Sequence, residues 1–143
     1  MRSRIAWLGL MVVCIAFAAC AQKVQLAEYK RFADISQVPK ISVQDAKKDV
    51  DAGNAIVIDS RDEAAFRSER IAGAINISSA SDSEKIMKLP KDKKIFIYCS
   101  CTTEGTSAEL SYQMNHAGIA NTYALVGGTQ AWKDAGYPLA SGE

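Results

Sequence analysis

The sequence of 143 residues lacks the features that mark several classes of protein. It has no basic cluster and no basic groove interleaved with aromatics, and its formal charge is only +1, so nothing in it points to nucleic acid. Its single histidine, His116, stands apart from the cysteines, which leaves no Cys/His set able to close a zinc site. Of the four cysteines, only Cys99 and Cys101 lie beyond residue 20, and a secreted domain stapled by disulfides needs more than one close pair. No internal repeat or low-complexity tract is present. The one long uncharged apolar run, residues 5–18, falls short of the roughly 20 residues that a spanning helix requires.

That run has its own reading. Arg2 and Arg4 precede it and small residues follow it, the pattern of a signal peptide over residues 1–19. Phe17-Ala18-Ala19-Cys20 resembles a bacterial lipobox, with Phe17 where Leu is usual. By that resemblance Cys20 is the lipidated first residue of the mature chain, anchoring it to a membrane of the cell envelope and facing the periplasm. Ala21, where an Asp would retain the chain at the inner membrane, implies the outer one. Two other readings stand beside it: cleavage after Ala21, which leaves a soluble periplasmic or secreted protein, and an uncleaved anchor. Loss of residues 1–19 removes two arginines and no acid, taking the charge from +1 to −1.

Residues 20–40 read as a tether and entry segment, with Phe32 and Ile35 able to dock on the domain that follows. From residue 41 onward short apolar runs alternate with helical patterns. Ile41 begins a short strand, and Ser42 caps a helix carrying Val43, Ala46 and Val50 on one face. Ala55-Ile56-Val57-Ile58 reads as a strand buried on both faces, ending at Asp59-Ser60-Arg61. A short helix is expected over residues 62–69 and a strand over residues 74–77. Ser81 with Glu84 forms a capping box opening a helix that ends at Pro90. Ile95-Phe96-Ile97-Tyr98 is the next strand, and Thr122-Tyr123-Ala124-Leu125-Val126 the last before Gly127-Gly128. Thr129 caps a closing helix that carries Trp132. This alternation predicts an α/β domain, with a mainly parallel central sheet flanked by helices. In such sheets sites lie beyond the carboxyl ends of the strands, so Asp59, the loop of residues 99–105 and Gly127-Gly128 are expected on one edge.

The most informative stretch is Tyr98-Cys99-Ser100-Cys101-Thr102-Thr103-Glu104-Gly105-Thr106-Ser107. A strand delivers two cysteines into a polar loop, and Thr106 with Glu109 reads as a capping box that starts a helix at Ser107, capped at its far end by Gly118. The N-terminus of a helix stabilises a thiolate through its free N–H groups and its dipole. The bland reading is two small residues in a turn. The loop contains no Arg or Lys, and Glu104 raises the thiolate pKa if it points inward. A phosphatase of this design needs an Arg six residues after the Cys, but Gly105 and Ser107 occupy those positions. His116 reads as a solvated residue at a helix C-terminus, and Asp59 with Arg61 as a structural pair.

Taken together, Ile58-Asp59-Ser60-Arg61 with Phe66 and Gly73-Ala74-Ile75-Asn76-Ile77, then Ile97-Tyr98-Cys99 before a helix, then Leu125-Val126-Gly127-Gly128 with Ala131-Trp132 and Gly136-Tyr137-Pro138, resemble a rhodanese-like domain covering residues 41–143. The resemblance implies a sulfurtransferase. A cysteine takes sulfane sulfur from a small donor, holds it as a persulfide and passes it to an acceptor thiol or protein thiol, with no metal and no organic cofactor. Counting from the strand makes Cys99 the nucleophile; counting back from Ser107 makes Cys101 the second candidate. The remaining loop residues, Ser100, Thr102, Thr103, Glu104, Gly105, Thr106 and Ser107, are the expected substrate-binding set. The loop is two residues longer than the family's common form and lacks its Arg, and Arg70 stands where the family often has His. Two other readings remain: a Cys99/Cys101 thiol–disulfide redox protein, and a weakly catalytic binding module on the same fold.

Overall fold

The computed structural model describes residues 26, 28–100 and 103–142. The expectations for the signal segment, Cys20, Cys101 and Thr102 fall outside those residues. Five strands form one wholly parallel sheet: β1 (Lys40–Ile41), β2 (Ala55–Asp59), β4 (Ile75–Asn76), β5 (Lys94–Tyr98) and β6 (Thr122–Leu125), in the order β1-β6-β5-β2-β4. The apolar runs of β2 and β5 are continuous because both faces of these central strands are covered. Phe96 and Tyr98 pack on one face with Val43 and Ala46 of α1 (Val43–Asp51) and Trp132 of α5 (Gly128–Asp134). Ile95 and Ile97 pack on the other with Ile86 of α3 (Ser83–Met87) and Leu110 and Met114 of α4 (Gly105–His116). Alternate residues of one strand therefore hold the two helical layers.

Local chemistry explains several boundaries. Ser42 accepts a hydrogen bond from the Asp45 N–H at 3.2 Å and starts α1 as expected. Asp62 does the same for α2 (Glu63–Ser68), bonding the Ala65 N–H at 2.8 Å. The other three helix starts differ from the sequence reading. Helix α3 begins two residues after Ser81, with Asp82 at the cap position, because Ser81 is held in a turn by Ser79. Helix α4 begins at Gly105 rather than Ser107. Glu104 takes the cap position in a left-handed conformation (φ 54°), so Thr106 lies inside the first turn. Helix α5 begins at Gly128, one residue before the expected cap Thr129.

A second, antiparallel sheet pairs β3 (Arg70–Ile71) with β7 (Leu139–Ala140), two dipeptides too short to leave a sequence signal. The entry segment docks through Phe32, which packs near Val38 and Ala108, whereas Ile35 is exposed and sits in a single 3₁₀ turn, Ile35–Gln37. His116 is not a free surface residue. Its Nδ1 accepts from the Arg31 guanidinium (3.0 and 3.3 Å) and its Nε2 meets the Phe32 carbonyl at 2.8 Å. Beside it, buried Asn115 accepts from the Phe32 N–H at 2.8 Å and donates to the Lys30 carbonyl at 3.0 Å. The end of α4 thus clips the entry segment to the domain.

Candidate functional site

Three strand ends lie side by side at one edge of the sheet. In the β2/β5 register Asp59 pairs with Tyr98, and β6 flanks β5 on its other side. Cys99 leaves the middle strand at this edge, is 3% exposed and is disulfide-bonded; the three other cysteines lie outside the described residues. Its carbonyl is fixed from the neighbouring connection, where the Thr129 N–H donates to it at 3.1 Å. A Cβ on Gly128 would stand 1.9 Å from that same oxygen, and the residue is left-handed (φ +53°). Only glycine permits this approach, so Gly128 is built against the cysteine, while a Cβ on Gly127 would stand 2.6 Å from the Ala131 Cβ of α5. On the other flank Ser60 donates to the Tyr98 carbonyl through its N–H (3.0 Å) and its hydroxyl (2.8 Å).

Behind the loop sits a buried ion pair. Asp59 is fully buried and accepts from Arg61 Nε at 2.9 Å and Nη2 at 2.6 Å, from the Arg61 N–H at 2.9 Å and from the Tyr98 hydroxyl at 2.5 Å. The Tyr98 hydroxyl in turn accepts from the Ile71 N–H at 3.1 Å. Burial, followed by the neighbouring carboxylate, pushes the Tyr98 phenol far above its usual range, so it serves as a donor and stays neutral. Hydrogen bonding to Asp59 likewise pushes Arg61 up. Arg61 also donates to the Glu69 carbonyl at 2.5 Å, while Asn76 donates to the carbonyls of Asp59 (3.1 Å) and Arg61 (2.8 Å). These bonds tie β2, β3, β4 and β5 together, the structural role expected for Asp59 and Arg61.

The far end of the loop is held by Glu104. The residue is 4% exposed, and its carboxylate accepts from Lys40 Nζ at 2.8 Å and from the Gly127 N–H at 3.0 Å. Its carbonyl accepts from the Ser107 hydroxyl at 3.0 Å and the Ala108 N–H at 2.8 Å, which closes the first turn of α4. Burial pushes the carboxyl pKa up, but the Lys40 and Gly127 hydrogen bonds outweigh it, and the net shift is downward. Glu104 therefore points inward and stays ionised, with a cation of its own from β1.

Of the expected site residues, the structure gathers Cys99, Glu104 and Ser107 as buried groups, with Ser100, Thr103, Gly105 and Thr106 exposed around them. Sequence reasoning missed Lys40 and the backbone N–H groups of Gly127 and Thr129. The signal for Lys40 was indirect: a loop carboxylate without a local cation needs one from the adjoining strands. Among the described residues, no three His, Cys, Asp or Glu side chains converge as a metal set. A cavity of about 420 Å³ opens at the opposite edge of the sheet, between α3 and the turn after α4, and is lined by Ile86, Met87, Leu89 and Ile119.

The comparisons with known proteins agree with this architecture. The family model for the rhodanese-like domain matches residues 42–135. The chain is 30% identical over 95 residues to the thiosulfate sulfurtransferase GlpE of Coxiella burnetii, covering 66% of this chain and 86% of that one. It is 29% identical over 108 residues to a tRNA sulfurtransferase of Desulfurococcus amylolyticus, spanning 74% of this chain but 21% of that protein. Among solved structures, a rhodanese-related protein of Thermoplasma volcanium superposes with a TM-score of 0.60 at 28% identity, covering 71% of this chain and 97% of that one. A protein of Bacillus halodurans superposes with a TM-score of 0.64 at 23% identity, over 74% and 79% of the two chains, a likeness of fold. With the parallel sheet, the cysteine at the end of its middle strand and Gly128 packed against it, these matches establish that the chain belongs to the rhodanese-like domain family.

Proposed function

We propose that the protein carries sulfane sulfur as a persulfide on Cys99, within the loop of residues 99–105. The observation that supports this most directly is the placement of Cys99 at the carboxyl end of the central strand, with Gly128 packed against its carbonyl. In the reduced protein the Cys99 thiolate attacks the outer sulfur of a donor such as thiosulfate. The new S–S bond forms at Cys99, the donor's S–S bond breaks, and its electron pair leaves on sulfite. An acceptor thiolate then attacks the terminal sulfur and regenerates the Cys99 thiolate. The chain's own contribution is to fix the backbone at Cys99 from both sides, through the Thr129 N–H on the Cys99 carbonyl and the Ser60 donors on the Tyr98 carbonyl.

A second reading has its own observation, since Cys99 is disulfide-bonded. A second thiol, Cys101 being nearest in sequence, attacks the inner sulfur of the persulfide, the disulfide closes and hydrosulfide leaves; an external thiol then reduces the pair. Both readings place Cys99 at the centre and differ in Cys101. Turnover with a sulfane donor and a small thiol acceptor separates them: Cys101→Ser stays active if Cys99 alone transfers sulfur and is inactive if the dithiol route operates. Loss of activity in Cys99→Ser is required by both, and full activity in that variant overturns both.

The location also belongs to the proposal. With the lipobox-like Phe17-Ala18-Ala19-Cys20 in use, Cys20 anchors the protein to a membrane of the cell envelope and the loop works in the periplasm. Labelling with a radioactive or clickable fatty acid tests this; Cys20→Ala abolishes incorporation if the lipid is carried there.

A further inference from the structure

We infer that Glu104 sets the charge of the sulfur donor, disfavouring dianions such as thiosulfate relative to donors of lower charge. The inference rests on the sulfur-transfer reading for its substrate and on geometry for its mechanism. Glu104 belongs to the loop that bears Cys99, and its carboxylate binds the Gly127 N–H at 3.0 Å. The next residue, Gly128, abuts the Cys99 carbonyl so closely that a Cβ would stand 1.9 Å away. Successive Cα atoms are about 3.8 Å apart, so the carboxylate lies within about 12 Å of the Cys99 backbone.

At this range a buried charge acts on the reacting sulfur. The Glu104 side chain is 6% exposed, whereas that of its partner Lys40 is 57% exposed. The cation is therefore attenuated by solvent more than the anion, and the pair cancels only in part as seen from the loop. The other cation of this edge, Arg61, is committed to Asp59 and to the Glu69 carbonyl. The Gly127 N–H, a backbone donor facing the loop, is itself occupied by the Glu104 carboxylate. A donor of charge −2 entering here meets a fixed negative charge and finds this donor group taken; a donor of charge −1 meets half the repulsion.

The two partners give variants with opposite signs. Glu104→Gln keeps an acceptor for the Gly127 N–H and removes the negative charge. Lys40→Met removes the positive charge from a largely exposed side chain. Alkylation of the reduced protein by iodoacetate (charge −1) and iodoacetamide (neutral, nearly the same shape), read at Cys99 by peptide mass, reports the local potential whether or not sulfur transfer occurs. The expected iodoacetate-to-iodoacetamide rate ratio rises about three- to tenfold in Glu104→Gln and falls about twofold in Lys40→Met. A ratio that is unchanged in both variants, or that moves in the same direction in both, overturns the inference. Lys40→Met alone decides the matter if Glu104→Gln fails to fold, since a ratio that does not fall in it also overturns the inference. Sulfur loading by thiosulfate and by the monoanion benzenethiosulfonate supplies the functional arm, with their ratio shifting toward thiosulfate in Glu104→Gln and away from it in Lys40→Met. If neither donor loads Cys99, the sulfur-transfer reading fails, and the alkylation ratio still judges Glu104.

Discussion

Asp59 and Glu104 are two buried carboxylates at the same sheet edge, each bonded to a cation and a backbone N–H, yet they are built differently. Asp59 is enclosed: its partner Arg61 is itself mostly buried, and the Tyr98 hydroxyl completes its set. Glu104 lies at the boundary, with its carboxylate inside and its lysine largely in water. A charge whose partner is buried with it contributes structure, because removing either half leaves an uncompensated charge in the interior. A charge whose partner is solvated contributes little stability and keeps a field of its own. The first holds four strands in place; the second lies in the loop that bears Cys99.

This contrast is breakable in graded steps. Asp59→Ala strands Arg61 and is expected to destabilise the fold by about 3–5 kcal/mol, read as a lower urea midpoint. Tyr98→Phe removes one hydroxyl that serves both Asp59 and the Ile71 N–H, and is expected to cost about 1–3 kcal/mol in the same assay. Glu104→Gln is expected to change stability by no more than about 1 kcal/mol near neutral pH. If it matches Asp59→Ala instead, the two carboxylates do the same work and the contrast fails. The smallest effect is on pH dependence. Because the folded pKa of Glu104 lies below its ordinary value of 4.5, the stabilisation from its partners is complete above that pH. It is lost as the pH falls through the lower folded value. Urea midpoints measured from pH 6 down to pH 3 therefore fall less steeply in Glu104→Gln than in the wild type over the acid end of that range.

Much of this architecture was legible in the sequence, for identifiable reasons. The apolar runs of β2 and β5 are long enough, and buried on both faces, to announce a parallel sheet, and from that the edge shared by Asp59, Cys99 and the glycine pair followed. What was not legible depends on contacts distant in sequence. The pairing of β3 with β7 rests on two residues from each. The start of α4 was misread because Glu104, which lacks a favourable cap side chain, is held left-handed by Lys40 and Gly127, residues 64 and 23 positions away. His116 was misread for the same kind of reason, since its partners Arg31 and Phe32 are 85 and 84 positions away. Local pattern finds elements; it does not find the side chains that override a local preference.

The central claim, that Cys99 carries the sulfur, is tested most directly by intact-protein and peptide mass spectrometry of the reduced protein after exposure to a sulfane donor. The account predicts a gain of one sulfur atom in the wild type and in Cys101→Ser, mapped to the peptide containing Cys99, and none in Cys99→Ser. A sulfur adduct that persists in Cys99→Ser, or its absence from the folded, reduced wild type, contradicts it.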